Sequence, residues 1–205
     1  MDGQRMSLSF LEELAQARPD PGGGAAAAFG ATLGLALVEK VVRLEANRCQ
    51  EEKLRGRWEE MLQLLQEMAD TLVRLREEDV RVYSNLARAR AESDAAGLPE
   101  ALQEAVRCPV RIIQGAREGL TLIAKVGEHC RRHLVADLLV AAEFLNAALL
   151  GAYHIACANL SLVSEPQERE FLARELVRAC QPACELFYQV KVELVSREHD
   201  LDHRS

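Results

Sequence analysis

The chain has 205 residues, 49% of them hydrophobic but only 4% aromatic, and a formal net charge of −7. That length suits a single domain over residues 1–205, with a core of Leu, Val and Ala, and the mixture of Ala, Leu, Glu and Arg favours helix. Basic residues interleave with acidic ones, which excludes the concentrated positive face of a nucleic-acid binder, and strand signals are missing.

In chain order, the N-terminal segment is charged and amphipathic without an apolar h-region, so it does not read as a signal peptide. Leu8, Phe10, Leu11 and Leu14 share one side of an expected helix over residues 6–17. Pro19, Pro21 and the glycines break it over 18–24. A long helix is predicted from about Gly23 into the forties, where Ala27, Ala28, Gly30, Ala31 and Gly34 let a neighbour approach closely. Residues 49–91 read as a long amphipathic helix, with Leu54, Trp58, Leu65, Leu72 and Leu86 at helical spacing. The stretch SDAAGLPE reads as a loop. A fourth helix covers about 99–130, bent or broken near Pro109. A fifth, 134–162, is apolar nearly all round and is expected at the centre. Ser164 and Pro166 suit the start of a last helix, with Pro182 a kink and a frayed tail after 196.

These elements predict an all-α, up-and-down bundle of long antiparallel helices. A helix that is rich in small residues and apolar over much of its circumference calls for more burial than one small bundle provides, so a homodimer is expected. Residues 25–38 are too short to span a bilayer. Residues 134–163 are long enough, but Asp137, Glu143, Asn146 and His154 would be costly in lipid. A soluble cytoplasmic protein without a membrane partner is the expectation. The six cysteines form no CxxC pair and read as free structural thiols.

The segment Asp20-Pro21-Gly22-Gly23-Gly24 leads directly into the second helix. A helix start offers unpaired N–H groups and a positive dipole end, which glycines leave open to an anion. No Lys-Ser/Thr follows and no strand precedes, so this is neither a Walker loop nor a dinucleotide fingerprint. Helix breaking and ligand cradling both remain open on physical grounds. His129 and His133 have metal-ligand spacing but no third ligand nearby, so no metal is expected. His154 reads as a hydrogen-bonded core histidine or a general base. Tyr83 and Tyr153 read as core residues.

The run DPGGGAAAAFGATLGLALVEKVVRL resembles the start of the formiminotransferase-cyclodeaminase C-terminal domain family, which includes free-standing methenyltetrahydrofolate cyclohydrolases and cyclodeaminases. REEDVRVYSNL resembles that family's segment placing Asp79 and Tyr83. VADLLVAAEFLNAALLGAYHIACANL resembles its helix placing Asp137, Gly151 and Asn159. The resemblance implies an all-helical homodimer acting on one-carbon-substituted tetrahydrofolate, with acid–base chemistry and no metal or redox cofactor. It further implies that Asp137, with Asp79, shuttles the proton. Gly22, Gly23 and Gly24 would bind an anionic part of the folate. Arg43 or Arg48 would hold a carboxylate, since a guanidinium suits one. Asp20 would cap the helix or order the turn, and Asn159 would satisfy a buried polar contact or face the ligand. The structural alternatives are ion pairing for Asp137 and solvated faces for Asp79, Arg43 and Arg48.

The chain also departs from the family pattern. Where the family carries Asn-Leu-Thr and then Gly-Lys-Lys, Arg43, Glu45, Asn47 and Arg48 stand here. Two Asn positions fall at Arg131 and His133, a Ser at Ala136, and an Asn at Ile155. These changes fit a divergent enzyme or, alternatively, a non-catalytic helical dimer that keeps the fold with a diverged ligand cleft. A coiled-coil adaptor is a weaker third reading, because strict heptads are not sustained.

Overall fold

The computed structural model describes residues 9–92 and 96–199. Residues 9–14 form a short helix, α1, followed by bends. Then come α2 (Gly23–Arg48), α3 (Glu52–Ala91), α4 (Leu98–His129), a 3-10 turn (Arg132–Leu134), α5 (Val135–Leu160) and α6 (Pro166–His199). No strand occurs among the described residues. The expected all-α architecture of long helices is what forms. The expected positions 6–8, 93–95 and 200–205 lie outside the described residues.

Short connections force consecutive long helices antiparallel. α5 packs against α2, α4 and α6, while α3 closes on α2 and α4. The antiparallel register of α2 and α5 shows in Ala27 beside Gly151, Gly34 beside Ala141 and Lys40 beside Asp137. The centre is made of Leu35 and Val38 from α2, Ile113 and Leu120 from α4, and Leu145 and Leu149 from α5, all buried. Gly119 permits the tightest meeting of these helices. A Cβ there would sit 2.8 Å from Leu145 Cδ1 and 3.0 Å from Leu35 Cδ2.

Several boundaries differ from expectation for physical reasons. α3 begins at Glu52 rather than at 49, because the Cys49 N–H turns back to close the end of α2 on Glu45 and Ala46. α4 runs unbroken through Pro109. α5 is less enclosed than its composition implied. Its fourth side meets no helix, leaving Val140, Phe144 and Leu150 exposed. α2 likewise leaves Leu33 exposed. Both α2 and Arg132–Leu160 are apolar and long enough to cross a membrane by length and composition alone, and about half of each such stretch is buried in the bundle.

Candidate functional site

The site is built where α2 begins. Gly22 is the N-cap residue, and no side chain of its own segment caps the helix. The first N–H to close a helical bond is that of Ala26, onto the Gly22 carbonyl at 3.0 Å. The preceding N–H groups therefore need outside acceptors. Asp79 on α3 supplies one, accepting from the Ala25 N–H. Asp20 was expected to cap the helix or order the turn; the residue that meets the helix end comes from across the bundle.

This explains the glycine run. None of the described glycines has a positive φ, so backbone conformation does not demand them. Space does. A Cβ on Gly24 would lie 2.5 Å from Asp79 Cγ and 2.7 Å from its Oδ2. A Cβ on Gly23 would press to 2.9 Å on Ile155 Cδ1, whereas at Gly22 the nearest atom is an ordinary 3.5 Å away. The third glycine is thus the one the Asp79 carboxylate requires.

Asp79 is half-buried. Burial pushes its carboxyl above the ordinary value, and the Ala25 N–H only partly counters this. Burial also drives the Cys108 thiol up to about 12, with the charge of Asp79 adding to the effect. A carboxyl that holds its proton more readily than usual is better suited to proton transfer than an ordinary surface carboxylate.

Beside it lies a cleft of about 190 Å³ lined by Asp20, Gly22 to Gly24, Asp79, Tyr83, Asn159 and their neighbours. Small-molecule sites usually enclose about 300–1,000 Å³. This one therefore admits a ring or a single reacting group, with any remainder lying on the surface. An adjoining depression of about 510 Å³ shares Asp20 and Val80 with it and carries Arg18 and Arg76. Arg76 stacks over Phe10 at 5.1 Å. Sequence reasoning passed over both arginines, although Arg18 directly precedes the turn and Arg76 lies three residues before Asp79 on one helix face.

The structure brings Asp20, Gly22, Gly23, Gly24, Asp79 and Asn159 together and leaves Asp137, Arg43 and Arg48 elsewhere. Asp137 pairs with Lys40 at 2.8 Å. Lys40 is sixteen residues along α2 from Gly24, about 24 Å at the helical rise. Arg43 Nε donates to Glu39 at 2.8 Å, one turn earlier. Arg48 is exposed at the end of α2. Within one chain, Asp79 and Asp137 do not form the expected proton-shuttling pair. The helix start also faces a carboxylate of the chain itself, so an anionic ligand group meets Asp79 before it meets free N–H groups. Tyr83, read as core, is 44% exposed at the cleft rim. His154, read as a core histidine, is exposed on the open side of α5. His129 stands edge-on to Trp58, with ring centroids 6.5 Å apart.

Two departures from the expected motif prove to be partners. Glu45 is buried, and its Oε1 accepts from the Arg131 backbone N–H at 3.1 Å and from its Nε at 3.0 Å. An acid and a base replaced two small polar residues and pair across the far end of the bundle.

A family model for formiminotransferase-cyclodeaminase matches residues 7–178. The chain belongs to that family. Its relatives include a methenyltetrahydrofolate cyclohydrolase from Methylorubrum extorquens, 27% identical over 74% of this chain and 77% of the relative. A formimidoyltransferase-cyclodeaminase from Gallus gallus is 24% identical over 85% of this chain, which spans only 34% of that longer protein. The family fold is matched by the crystal structure of a formiminotetrahydrofolate cyclodeaminase from Thermotoga maritima. The TM-score is 0.86 at 24% identity, covering 95% of this chain and 98% of the other.

Proposed function

We propose that this family member acts on a one-carbon-substituted tetrahydrofolate at the glycine-turn cleft. It would either expel ammonia from a formimino group to close the methenyl ring or hydrolyse that ring. The observation that carries this reading is Asp79: a half-buried carboxyl of raised proton affinity, fixed against a helix start and open to a cleft. In the first direction it protonates the leaving amine; in the second it accepts a proton from attacking water. Such chemistry exchanges carbon–nitrogen and carbon–oxygen bonds without a change of oxidation state, so its acid–base steps call on no metal or redox cofactor. Six free thiols support the cytoplasm as its setting.

The proposed assembly is a homodimer through the open apolar stripes of α2 and α5. On α2 the stripe includes Ala26, Phe29, Leu33 and Leu37, with Leu33 its most exposed large side chain. A two-fold axis there lays two α2 helices antiparallel, with Gly24 of one protomer beside the partner's Arg43. In that arrangement Asp137 and Arg43 serve the opposite protomer's cleft. The paired Glu45 and Arg131 favour the second reading, a non-catalytic dimer, because they show one end of the bundle rebuilt for structure.

The test is turnover of methenyl- and formimino-tetrahydrofolate by the purified chain, beside Asp79→Asn. Turnover that falls by about 10²–10⁴ in the variant supports the proposal. A native chain that neither turns over nor binds tetrahydrofolate establishes the non-catalytic reading.

A further inference from the structure

Pro109 lies inside α4, where a proline has no N–H to give. In a regular helix the N–H of residue 109 would close onto the carbonyl of residue 105. Ala105 therefore lacks its usual helical donor. α5 fills the vacancy: Asn159 Nδ2 donates to the Ala105 carbonyl at 2.6 Å. Only the nitrogen of an amide can donate to a carbonyl, so this bond decides which way the Asn159 amide faces. Its Oδ1 remains as an acceptor, and among the described residues no group pairs with it. Both Asn159 and Ala105 line the cleft that holds Asp79 and the glycine turn.

We propose that Pro109 is a positioning residue for this cleft. It reserves the Ala105 carbonyl for Asn159 and so holds Asn159 Oδ1 as a fixed acceptor for an N–H group of the ligand. The inference rests on the folate reading for the ligand's identity, and it specifies that the ligand enters with a nitrogen that carries hydrogen. A formimino nitrogen or a ring amide meets that description. A group offering only lone pairs would meet the Asn159 oxygen repulsively, because the amide cannot turn without leaving the Ala105 carbonyl unpaired.

Pro109→Ala tests this on the full chain. Alanine returns an N–H to position 109, which competes with Asn159 for the Ala105 carbonyl and frees the side-chain amide. Exchange of the Asn159 side-chain amide protons, followed by NMR, is expected to quicken by about tenfold or more, since the bond that protects them is lost. Affinity for 5-formyltetrahydrofolate is expected to fall about three- to tenfold, with helicity unchanged. Asn159→Ala should lose the same amount, and the double variant no more than either alone. Unchanged exchange in Pro109→Ala, or losses that simply add, would overturn the proposal. The wild-type chain offers a measurement that needs no variant. A through-bond coupling between the Asn159 side-chain nitrogen and the Ala105 carbonyl carbon is expected, and its absence refutes the arrangement. If the native chain binds no folate, the folate reading falls, while the exchange experiment still decides the part played by Pro109.

Discussion

Gly24→Ala isolates the relation between the glycine run and Asp79. The added methyl would lie 2.7 Å from Asp79 Oδ2, where ordinary contact begins at 3.4 Å. The carboxyl must then withdraw by roughly 1 Å, enough to break its bond to the Ala25 N–H. A hydrogen bond to a charged group contributes about 1.5–3 kcal/mol, and the half-exposed position of Asp79 argues for the lower end. Alanine recovers about 1 kcal/mol through helix propensity and a stiffer unfolded chain. The net loss is about 0.5 kcal/mol, or about 1–2 °C in Tm for a chain of this size. Turnover should suffer more, because the displaced group is the proposed acid–base residue. Thermal unfolding by circular dichroism reads the stability, and the decisive comparison is the same change in an Asp79→Ala background. There the clash has no partner, so Gly24→Ala is expected to be neutral or to stabilise by up to about 1 kcal/mol. An equal destabilisation in both backgrounds would show that Asp79 is not what requires the glycine.

Four further outcomes are expected. The native state binds the Asp79 proton more tightly than the unfolded chain does, so stability should fall as pH rises from 3.8 towards the raised folded value, and stay lower above it. Asp79→Asn removes that loss; denaturant melts should find the variant more stable than wild type at neutral pH, with the difference vanishing in acid. Leu145→Ala, at a fully buried position facing Gly34 and Gly119, should cost about 2–5 kcal/mol in urea unfolding while leaving ligand affinity unchanged. Leu33→Glu on the open stripe of α2 should convert a dimer to a monomer in sedimentation experiments; an unchanged mass would place the interface elsewhere. Asp79→Asn and Asp137→Asn chains, each inactive alone, should regain up to about a quarter of wild-type turnover when mixed and refolded together, because half of the dimers are mixed and each mixed dimer holds one intact site. No recovery would remove Asp137 from the partner's cleft.

The fold was legible because helical spacing and small-residue runs report burial locally. The Leu54 to Leu86 ladder places α3, and the Ala-Gly face of α2 meets α5 as close packing requires. The open side of α5 was legible only as a surplus of apolar surface, not as a particular face. A helix apolar on all faces looks the same in sequence whether its last side meets a neighbouring helix or a second chain. In the site, the glycine turn, Asp79 and Asn159 could be read because each falls within an ordered motif. Within one chain the grouping does not extend to Asp137 and Arg43, because motif order carries no distance and α2 is long enough to put its two ends in different places.

The same geometry shows why one cleft places such different demands on its surroundings. Asp79 needs a glycine because it acts as the cap of a helix it does not belong to, and its burial raises the proton affinity that makes it useful. Asn159 needs a proline because the helix it leans on must leave a carbonyl unclaimed. In both cases a residue usually read as a breaker of structure supplies room or a free acceptor at one atom: the Gly24 Cα lets a carboxylate approach, and the missing Pro109 N–H lets an amide lock. Replacing either residue by alanine would strengthen its helix locally and loosen the cleft, so stability and ligand affinity should move in opposite directions at Pro109. At Gly24 they should move together, because there the added atom meets the carboxylate directly.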